Sequence, residues 1–408
     1  MEVKTDKQII NRILNKAIEQ ILPDKEVLEK KLLSGERLNI YQGFDPTADT
    51  LHIGHTVGMR KLEDFRKLGH NVIFLIGDFT ARIGDPSDKR DARASARKVL
   101  TKEEISNNLK NYVEQASHII DLENKDNPVK ILYNSTWLNP LDFGDIIKLA
   151  SEFTVQQMIK RSMFQKRLEE DKPIFLNEFL YPLMQGYDSV MMDIDVEVGG
   201  NDQLFNMLAG RDMVRNHLGK EKIVIAGKLL TTNGGDKMGK SEGNMIKLSD
   251  DAKDIYGKVM SFTDEQIING FELLTSADRE ELKKIKKRFE SDENPMILKK
   301  ELALRIASEL KTKEEAQGAQ DYFESVFQKK SLDTDLNQVI LEKEIYNILD
   351  LIINTDSSIS KSQARRLIKQ GAVKINDDKV SDWQIQIDIS KPTILKVGKK
   401  ILKITHRT

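Results

Sequence analysis

The sequence predicts an α/β protein. Its catalytic part is a doubly wound, parallel-sheet (Rossmann-like) domain, followed by an α-helical subdomain and a small α+β domain. Short apolar runs alternate with amphipathic helical segments over the first 250 residues, which is typical of parallel strands joined by crossover helices. Charged amphipathic helices follow, and runs rich in Val and Ile return near the end of the chain. We therefore expect domains at 1–250, 251–327 and 346–408, with a linker at 328–345.

The composition excludes several classes of protein. The 408 residues include no Cys, which excludes disulfides, thiolate metal sites and cysteine nucleophiles. Lys and Arg (64) balance Asp and Glu (65), so the chain is not a uniformly basic nucleic-acid coat. The longest apolar run is about six residues, whereas a membrane span needs about 20. The first eight residues are charged and lack the apolar core of a signal peptide, so we expect a cytoplasmic protein with no membrane partner.

Apolar periodicity and turn residues place the elements. The first strand runs into a turn at Asp45-Pro46, and the apolar face of the next helix ends before Gly69. Another helix starts at Thr101, where Glu104 completes a capping box. The predicted strands are 38–46, 71–76, 129–133, 196–198 and 223–225, and the later predicted helices are 177–191, 201–218, 263–274 and 276–310.

Charge is distributed unevenly along the chain. Residues 346–408 contain 12 Lys and Arg and 6 Asp and Glu, a net charge of +6, and the remainder carries −7. This division predicts an acidic catalytic part and an anion-binding tail. The alternative is a Lys-rich surface that only keeps the tail soluble.

The segment 43–55 is the strongest local signal for chemistry. It lies where a strand ends and a helix begins, which is where doubly wound sheets bind ligands. The free N–H groups of a helix N-terminus favour a phosphate, and Gly54 would let a nucleotide approach the backbone. His52 and His55 are three residues apart and share a helix face. Two His without a nearby third ligand make a poor zinc site, so we expect no metal site and favour phosphate and nucleobase contacts over simple packing.

A second signal, the Gly-rich segment 234–241, follows about 180 residues later. Its Lys237, Lys240 and Ser241 would form a mobile cationic clamp, suited to the charge that develops on a triphosphate. The segment lacks Walker A spacing, and by itself it could be a solvated turn. Its pairing with the first segment makes it informative.

Together the two segments resemble the HIGH and KMSKS signatures of class I aminoacyl-tRNA synthetases, whose catalytic domain is Rossmann-like and of the HUP type. Here they read His52-Ile-Gly-His55 and Lys237-Met-Gly-Lys-Ser241. Gly239 stands in place of the central Ser of the second signature, and tyrosine enzymes commonly show this departure.

Further blocks narrow the resemblance to bacterial-type tyrosyl-tRNA synthetases. They lie at 41–47, 181–188 and 199–203. In the tail, residues 360–376 resemble an S4 RNA-binding domain. The resemblance covers nearly the whole chain in the order of the family, and it makes 251–327 the anticodon-side subdomain and 346–408 an S4-like domain.

The resemblance assigns roles to individual residues. The tyrosine substrate would be bound by Tyr41 and Asp188 at its phenol, by Tyr181, Gln185 and Asp85 at its ammonium, and by Gln203 near its carboxylate. The ATP-binding residues would be Gly43, Asp45, Gly54, Gly200, Asp202 and Lys240. The catalytic residues would be Thr47, His52, His55, Lys237, Lys240 and Ser241. Two positions depart from the commonest pattern: Asn201 replaces a usual Ser or Thr, and Glu197 stands where many relatives have Gln.

The spacing of three of these residues agrees with their roles. Tyr181, Gln185 and Asp188 are four and three residues apart, so one helix face presents a phenol, an amide and a carboxylate. A carboxylate that accepts a hydrogen bond from a phenol is left unpaired when the ligand lacks the hydroxyl, which disfavours phenylalanine. The alternative is that Tyr181 and Asp188 merely pair across a turn of a surface helix.

The tail contains a predicted basic helix. Ser360 and Gln363 form a capping-box pattern, and Gly371 follows the helix. Basic residues here suit an RNA phosphate backbone that is recognised mainly by shape: Lys361, Arg365, Arg366, Lys369 and Lys374. A solvated charged face is the alternative.

The resemblance implies an activity. The chain would activate L-tyrosine with ATP to tyrosyl-adenylate and pyrophosphate, and then transfer tyrosine to the 3′-terminal adenosine of tRNA(Tyr). The substrate carboxylate is the nucleophile, so the protein supplies position and charge stabilisation. Mg²⁺ would accompany ATP through phosphate oxygens and water rather than a protein cage. Members of the family are homodimers, so the resemblance also implies a homodimer.

Two alternatives stay open. A tryptophan enzyme of the same class is disfavoured by Tyr41, Asp188 and the S4-like tail, since an indole offers only a donor N–H. A non-catalytic RNA-binding regulator with the same fold is disfavoured by the intact His and Lys residues of the two signature segments.

Overall fold

The computed structural model describes residues 2–85, 102–231, 245–291, 293–328, 338–356, 359–376, 378–398 and 400–406. The chain divides into two compact units, residues 1–320 and 321–408, each with its own sheet. Within the described ranges, none of the helices combines the length and the apolarity that a membrane crossing requires.

Strands and helices alternate in the first unit, as predicted. Its strands are β1 (Ile18–Leu22), β2 (Asn39–Phe44), β3 (Asn71–Ile76), β4 (Lys130–Tyr133), β5 (Val196–Gly200) and β6 (Ile223–Gly227). The helices up to β6 are α1 (Lys7–Asn15), α2 (Lys25–Leu33), α3 (His55–Leu68), α4 (Lys102–Ser117), α5 (Ser135–Leu138), α6 (Phe143–Ala150), α7 (Val155–Ile159), α8 (Ser162–Glu169), α9 (Leu176–Met191) and α10 (Leu204–Leu218). Three elements, α1, β1 and α2, precede the first predicted strand.

The six strands form one sheet in the order β1-β6-β5-β2-β3-β4. Neighbours from β6 to β4 are parallel, which confirms the predicted doubly wound sheet. The edge strand β1 runs antiparallel to β6 and was not predicted. The chain leaves β2 towards β3 on one side and later returns to β5 on the other, so the carboxyl ends of β2 and β5 flank a crevice where open α/β sheets bind ligands.

Helix α3 follows β2 and brings its first turn to this crevice. Gly54 is the N-cap of α3, and the predicted apolar face, including Leu62 and Phe65, is buried. The helix ends at Gly69, whose φ of +94° is a left-handed conformation that favours glycine. Helix α4 begins at Lys102, and its predicted cap, Thr101, lies outside the described residues.

Residues 252–323 form a mainly helical part of the chain, as predicted. Its helices are α11 (Ala252–Met260), α12 (Gln266–Leu274), α13 (Arg279–Glu290), α14 (Pro295–Leu310) and α15 (Lys313–Phe323). The segment 276–310, predicted as one helical stretch, is two helices. Asn294 caps α14 by accepting a hydrogen bond from the Met296 N–H at 3.0 Å, and Pro295 occupies the first turn, where its missing N–H is tolerated.

The second unit is a small α+β fold. Its strands are β7 (Gln338–Leu341), β8 (Ile345–Asn347), β9 (Val373–Ile375), β10 (Asp378–Lys379), β11 (Gln386–Asp388), β12 (Thr393–Val397) and β13 (Lys400–His406), and its helices are α16 (Ile348–Thr355) and α17 (Lys361–Lys369). Five strands form a sheet in the order β10-β9-β12-β13-β7, and β8 pairs with β11. Both helices contribute buried apolar side chains to the core of this unit, such as Leu351 and Ile368.

The linker predicted at 328–345 is corrected in part. Strand β7 lies inside it and pairs in parallel with β13, and β8 begins at its last residue. Val339 and Leu341 belong to the core of the second unit, so the segment carries a buried apolar face. Four residues are too few for periodicity to distinguish a strand from a polar connection. Residues 329–337 lie outside the described ranges.

Candidate active site

A cavity of about 760 Å³ lies at the crevice between β2 and β5. Fourteen predicted site residues line it: Tyr41, Gly43, Asp45, Thr47, His52, Gly54, His55, Asp85, Tyr181, Gln185, Asp188, Gly200, Asp202 and Gln203. Segments 41–55, 181–188 and 199–203 therefore meet at one place. The predicted Lys237, Lys240 and Ser241 lie outside the described residues, and the five predicted RNA-binding residues lie in the second unit.

At one end of the cavity, the Tyr41 hydroxyl is held by buried polar groups. Its side chain is 1% exposed, and its hydroxyl donates to Glu197 Oε1 at 2.6 Å. Ser189 Oγ lies 3.0 Å from the same hydroxyl. Burial, and then the neighbouring Glu197 carboxylate, raise the pKa of Tyr41 well above its ordinary value. Tyr41 is therefore a neutral phenol in a fixed orientation.

Asp188 lies at the same end and is also fully engaged. One carboxylate oxygen accepts from Trp137 Nε1 at 2.7 Å, and the other accepts from Asn134 Nδ2 at 3.2 Å. Asp188 is 2% exposed, and burial raises its pKa well above the ordinary value even though these two hydrogen bonds favour the ionised form. A ligand hydroxyl placed here finds an acceptor whose position is already set.

Hydrogen bonds continue from Asp188 to Asp45. Asn134 Nδ2 also donates to Thr80 Oγ1 at 3.1 Å, and Thr80 donates to Asp45 Oδ1 at 2.7 Å. The other Asp45 oxygen accepts from the Tyr181 hydroxyl at 2.9 Å. Asp45 therefore connects a residue predicted to bind the ammonium of the amino acid with the segment predicted to bind ATP.

Glycine at position 77 is what makes room for this Asp45 carboxylate. A Cβ at Gly77 would lie 1.9 Å from Asp45 Oδ1 and 2.4 Å from Thr80 Oγ1. Any larger residue would displace the carboxylate from its two donors.

The predicted face of α9 points into the cavity, since Tyr181, Gln185 and Asp188 all line it. On the opposite side, Gln203 Nε2 donates to Asp85 Oδ2 at 2.6 Å, and Asn206 Nδ2 donates to Gln203 Oε1 at 2.9 Å. The two residues predicted near the ammonium and the carboxylate of the amino acid are therefore paired with each other.

The other end of the cavity is formed by the first turn of α3. The His52 N–H donates to His55 Nδ1 at 3.1 Å, and the two imidazole rings stack with centroids 3.8 Å apart. Because Nδ1 of His55 accepts, a neutral His55 carries its proton on Nε2. A Cβ at Gly54 would lie 3.0 Å from the His52 ring. The N–H groups of His55, Thr56 and Val57 donate to backbone carbonyl oxygens within this turn. His52 and His55 line the cavity at the positive end of the helix dipole, an arrangement that suits phosphate oxygens.

Sequence reasoning missed several groups that hold the site together. Thr80, Asn134 and Trp137 come from the segments that follow β3 and β4. A signal was available, because polar residues just beyond parallel strands gather at the carboxyl edge of the sheet. Lys222, which contacts Glu197, offered no such signal, since a single Lys before a strand is ordinary.

A site for a metal held by side chains is not apparent where the chain is described: no group of three or more His, Asp or Glu side chains there is placed to bind one. In the second unit, Ser360 and Gln363 form the predicted reciprocal capping box at the start of α17. Arg365, Arg366 and Lys369 are exposed. Lys361 pairs with Asp350 at 3.0 Å, Lys369 Nζ lies 5.7 Å from the centre of the Trp383 ring, and Lys374 is half-buried on β9.

Comparisons with known proteins identify the family of the chain. Residues 33–328 match the family "tRNA synthetases class I (W and Y)", and residues 328–403 match the family "Tyrosine--tRNA ligase SYY-like C-terminal domain". The chain is 39% identical to the tyrosine–tRNA ligase of Aquifex aeolicus, covering 95% of this chain and 96% of that protein. It is 40% identical to that of Chlorobaculum tepidum, covering 97% and 96%.

Solved structures share the fold of the first unit at lower identity. A C-terminally truncated mitochondrial tyrosyl-tRNA synthetase from Aspergillus nidulans aligns with a TM-score of 0.65 and 22% identity, covering 79% of this chain and 94% of that one. The tyrosyl-tRNA synthetase of Archaeoglobus fulgidus, crystallised with L-tyrosine, aligns with a TM-score of 0.59 and 20% identity, covering 78% and 100%.

Proposed function

The chain belongs to the class I tRNA synthetases for tryptophan and tyrosine and, within them, to the tyrosine–tRNA ligases, and from this premise we propose how its residues divide the reaction. The reaction joins L-tyrosine to ATP, giving tyrosyl-adenylate and pyrophosphate, and then transfers tyrosine to the 3′-terminal adenosine of tRNA(Tyr). The single observation that carries the proposal is the meeting of the fourteen predicted residues around one cavity.

The phenol of tyrosine binds at the end that contains Tyr41 and Asp188. The Asp188 carboxylate is oriented by Trp137 and Asn134, so it accepts the phenol O–H without rearranging. A phenylalanine ring would desolvate this carboxylate and return no hydrogen bond. An indole would place its N–H elsewhere, and the tail family is that of tyrosine–tRNA ligases, so both observations disfavour the tryptophan alternative.

The amino and carboxylate groups of tyrosine lie towards Asp45. Tyr181 and Gln185 bind the ammonium together with Asp85, and Gln203 lies near the carboxylate. The triphosphate lies over the first turn of α3. There the His55 Nε2–H donates to phosphate oxygens at the positive end of the α3 dipole, with Gly43, Gly200 and Asp202 around the nucleoside.

The chemistry is attack by the tyrosine carboxylate on the α-phosphorus, with pyrophosphate as the leaving group. Holding the two reactants in line supplies most of what the protein must contribute, and cationic and N–H donors stabilise the charge that moves to pyrophosphate. We assign Thr47, Lys237, Lys240 and Ser241 to this second task. Mg²⁺ is held by phosphate oxygens and water.

The tail binds tRNA through the basic face of α17. Arg365, Arg366 and Lys369 are exposed on it, and residues 346–408 carry a net charge of +6 against −7 for the rest of the chain. Phosphate contacts of this kind release counterions, so tRNA charging weakens as salt is added. These features support the RNA-binding role over a merely solvated face.

A homodimer accounts for the apolar surface of the first unit. Eight large apolar side chains between residues 133 and 191 are exposed: Tyr133, Phe143, Ile147, Val155, Leu168, Phe175, Leu176 and Met191. Apolar surface concentrated in this way is typical of a protein interface. We propose that two copies associate through it in the cytoplasm, with one tRNA contacting both.

Two measurements test the proposal. The full chain should catalyse ATP–pyrophosphate exchange with tyrosine and with no other proteinogenic amino acid. A chain ending at residue 328, before the tail family begins, should keep this exchange and lose most tRNA charging. Exchange with tryptophan in place of tyrosine would contradict the assignment of tyrosine as the substrate. Full tRNA charging by the shortened chain would contradict the proposed tRNA-binding role of the tail.

A further inference from the structure

A buried ion pair lies behind the tyrosine end of the cavity. Lys222 Nζ, just before β6, contacts Glu197 Oε2 on the neighbouring strand β5. Their side chains are 0% and 3% exposed. Removing two charges from water is costly, and a buried pair of this kind is often no more stabilising than apolar residues of the same size. Stability alone therefore does not explain why a buried ion pair lies at this position.

The surrounding helices leave room for the ammonium. A Cβ at Gly210 on α10 would lie 2.5 Å from Lys222 Nζ and 3.2 Å from the Cα of Gly186 on α9. Two glycines thus allow close packing of α9 on α10 while the ammonium occupies the space that a side chain at position 210 would fill.

The second carboxylate oxygen of Glu197 binds two residues of the proposed tyrosine site. Glu197 Oε1 accepts from the Tyr41 hydroxyl at 2.6 Å and from Gln185 Nε2 at 2.9 Å. The carboxylate therefore fixes a residue at the phenol end and a residue near the ammonium at the same time.

The direction of these hydrogen bonds decides what a ligand meets. Lys222 has only donors and gives one to Ser189 Oγ at 2.9 Å, and the Ser189 hydroxyl lies 3.0 Å from the Tyr41 oxygen and 3.5 Å from Glu197 Oε2. The Tyr41 proton goes to Glu197. The Tyr41 hydroxyl is thereby held in one orientation, and Gln185, whose amide nitrogen donates to Glu197, has its side-chain carbonyl oxygen to offer a ligand.

We propose that the Glu197–Lys222 pair positions Tyr41 and Gln185 for tyrosine binding: it fixes the Tyr41 hydroxyl beside Asp188 at the phenol end, and it orients Gln185 so that its side-chain oxygen faces the ammonium. The inference rests on the proposed function, in which this cavity binds tyrosine. In this proposal, Glu197 and Lys222 are positioning residues that act on tyrosine binding through Tyr41 and Gln185. Neither residue contributes to ATP binding.

Three variants test the pair by charge and by shape. Lys222→Met leaves a buried carboxylate without a counterion, which then takes up a proton and becomes a donor. The double variants Lys222→Met/Glu197→Gln and Lys222→Met/Glu197→Leu both remove the two charges. Only the glutamine keeps an oxygen that Tyr41 and Gln185 can donate to, and the leucine has none.

The measurement is the tyrosine KM in ATP–pyrophosphate exchange, with the ATP KM and the thermal midpoint alongside. Losing one oriented hydrogen bond corresponds to about tenfold in binding, so we expect Lys222→Met to raise the tyrosine KM by about tenfold or more. The glutamine double should return to within about threefold of the parent, and the leucine double should stay about tenfold or more above it. The ATP KM should stay unchanged throughout.

The matched control is the ion pair between Glu63 and Arg66 on α3, whose side chains are 11% and 8% exposed and do not line the cavity. Arg66→Met/Glu63→Leu removes the same two charges from the same unit and should leave the tyrosine KM unchanged.

The outcomes separate the inference from the function on which it rests. Without tyrosine-dependent exchange in the parent enzyme, the proposed function fails and the inference fails with it. With normal exchange in the parent, equal tyrosine KM values for the glutamine and leucine doubles would overturn the inference alone, because the pair would then act only on stability. If Lys222→Met does not fold, the contrast between the two doubles still decides the question.

Discussion

The two ends of the cavity differ in burial and in what they present. At the tyrosine end, Tyr41, Asp188 and Glu197 are buried, and their polar atoms are fixed by side chains from other elements. At the nucleotide end, His52 and His55 are half-buried and lie at the N-terminus of α3.

The difference follows from what each ligand does in the reaction. The phenol ring of tyrosine is chemically unchanged, so rigid buried groups can be complementary to it throughout and gain selectivity from the cost of an unmatched polar atom. The triphosphate changes its bonding and its charge, so groups aimed at the developing charge matter more there. Substitutions at the tyrosine end should therefore change the tyrosine KM and the selectivity between amino acids. Substitutions at the nucleotide end should change the rate of adenylate formation or the ATP KM.

The largest expected effect is at Asp188. Asp188→Ala removes the acceptor of the phenol and leaves the Trp137 and Asn134 donors unpaired, so we expect kcat/KM for tyrosine to fall about a hundredfold or more. Activation of phenylalanine should hardly change, which narrows the gap between the two amino acids. Exchange kinetics with both substrates measure this, and Asp188→Asn, which keeps one acceptor, should lose less. Unchanged kinetics with both amino acids would contradict the assignment.

A smaller effect, of the opposite kind, is expected at His55. His55→Ala removes the Nε2–H donor, so single-turnover adenylate formation should slow by about ten- to a hundredfold with little change in tyrosine binding. His55→Gln places an amide N–H near the same position and should recover part of the rate. A loss of tyrosine affinity at a normal rate would mean that the two ends are not separate in function.

A smaller effect is expected at Gly54, and it concerns ATP binding. A Cβ at this position lies 3.0 Å from the His52 ring, so Gly54→Ala should shift that imidazole and raise the ATP KM by about threefold to tenfold. Gly257→Ala is the control, since a Cβ there has nothing within 4 Å and lies in α11. The control should be neutral or slightly stabilising, by up to about 1 kcal/mol. Equal ATP KM values for both variants would show that Gly54 does not contribute to ATP binding.

The smallest effect concerns stability and comes from Lys61, which lies on α3 and lines the cavity. Burial lowers the pKa of Lys61 from 10.5 to about 7. Between these two values the unfolded chain binds more protons than the folded chain, so the free energy of unfolding should rise with pH above about 7, by at most about 1.4 kcal/mol per pH unit.

Lys61→Met should remove this slope. Its Nζ donates to the Ile13 carbonyl oxygen at 3.1 Å, and loss of that bond is independent of pH. Urea unfolding at pH 7, 8 and 9 measures both proteins. Parallel pH profiles would show that Lys61 keeps its proton in the fold.

Much of the fold could be predicted because its signals are local. The runs at 71–76 and 223–225 are continuously apolar and bounded by turns, and the segment 43–55 carries a recognisable motif. Strand β1 was missed because Ile18–Leu22 places polar Glu19 and Gln20 side by side, which obscures the alternation of an edge strand.

The site was predictable only in part, for a related reason. Its motif residues are close in sequence, whereas the groups that orient them are not. Trp137 is 51 residues from Asp188, and Lys222 is 25 from Glu197. Those contacts are set by the order of the strands in the sheet, and no local pattern specifies them.

The hydrogen bond between Trp137 and Asp188 also has a consequence for the intrinsic fluorescence of the protein. The chain has two tryptophans, and each lies at a different proposed ligand surface. Trp137 touches the phenol site, and Trp383 lies beside Lys369 on the basic helix of the tail. Indole emission responds to nearby charge and hydrogen bonding, so Trp383→Phe leaves one emitter that follows tyrosine, and Trp137→Phe leaves one that follows RNA. Occupancy of either surface can then be read in an unlabelled protein, and energy transfer between dyes is unnecessary.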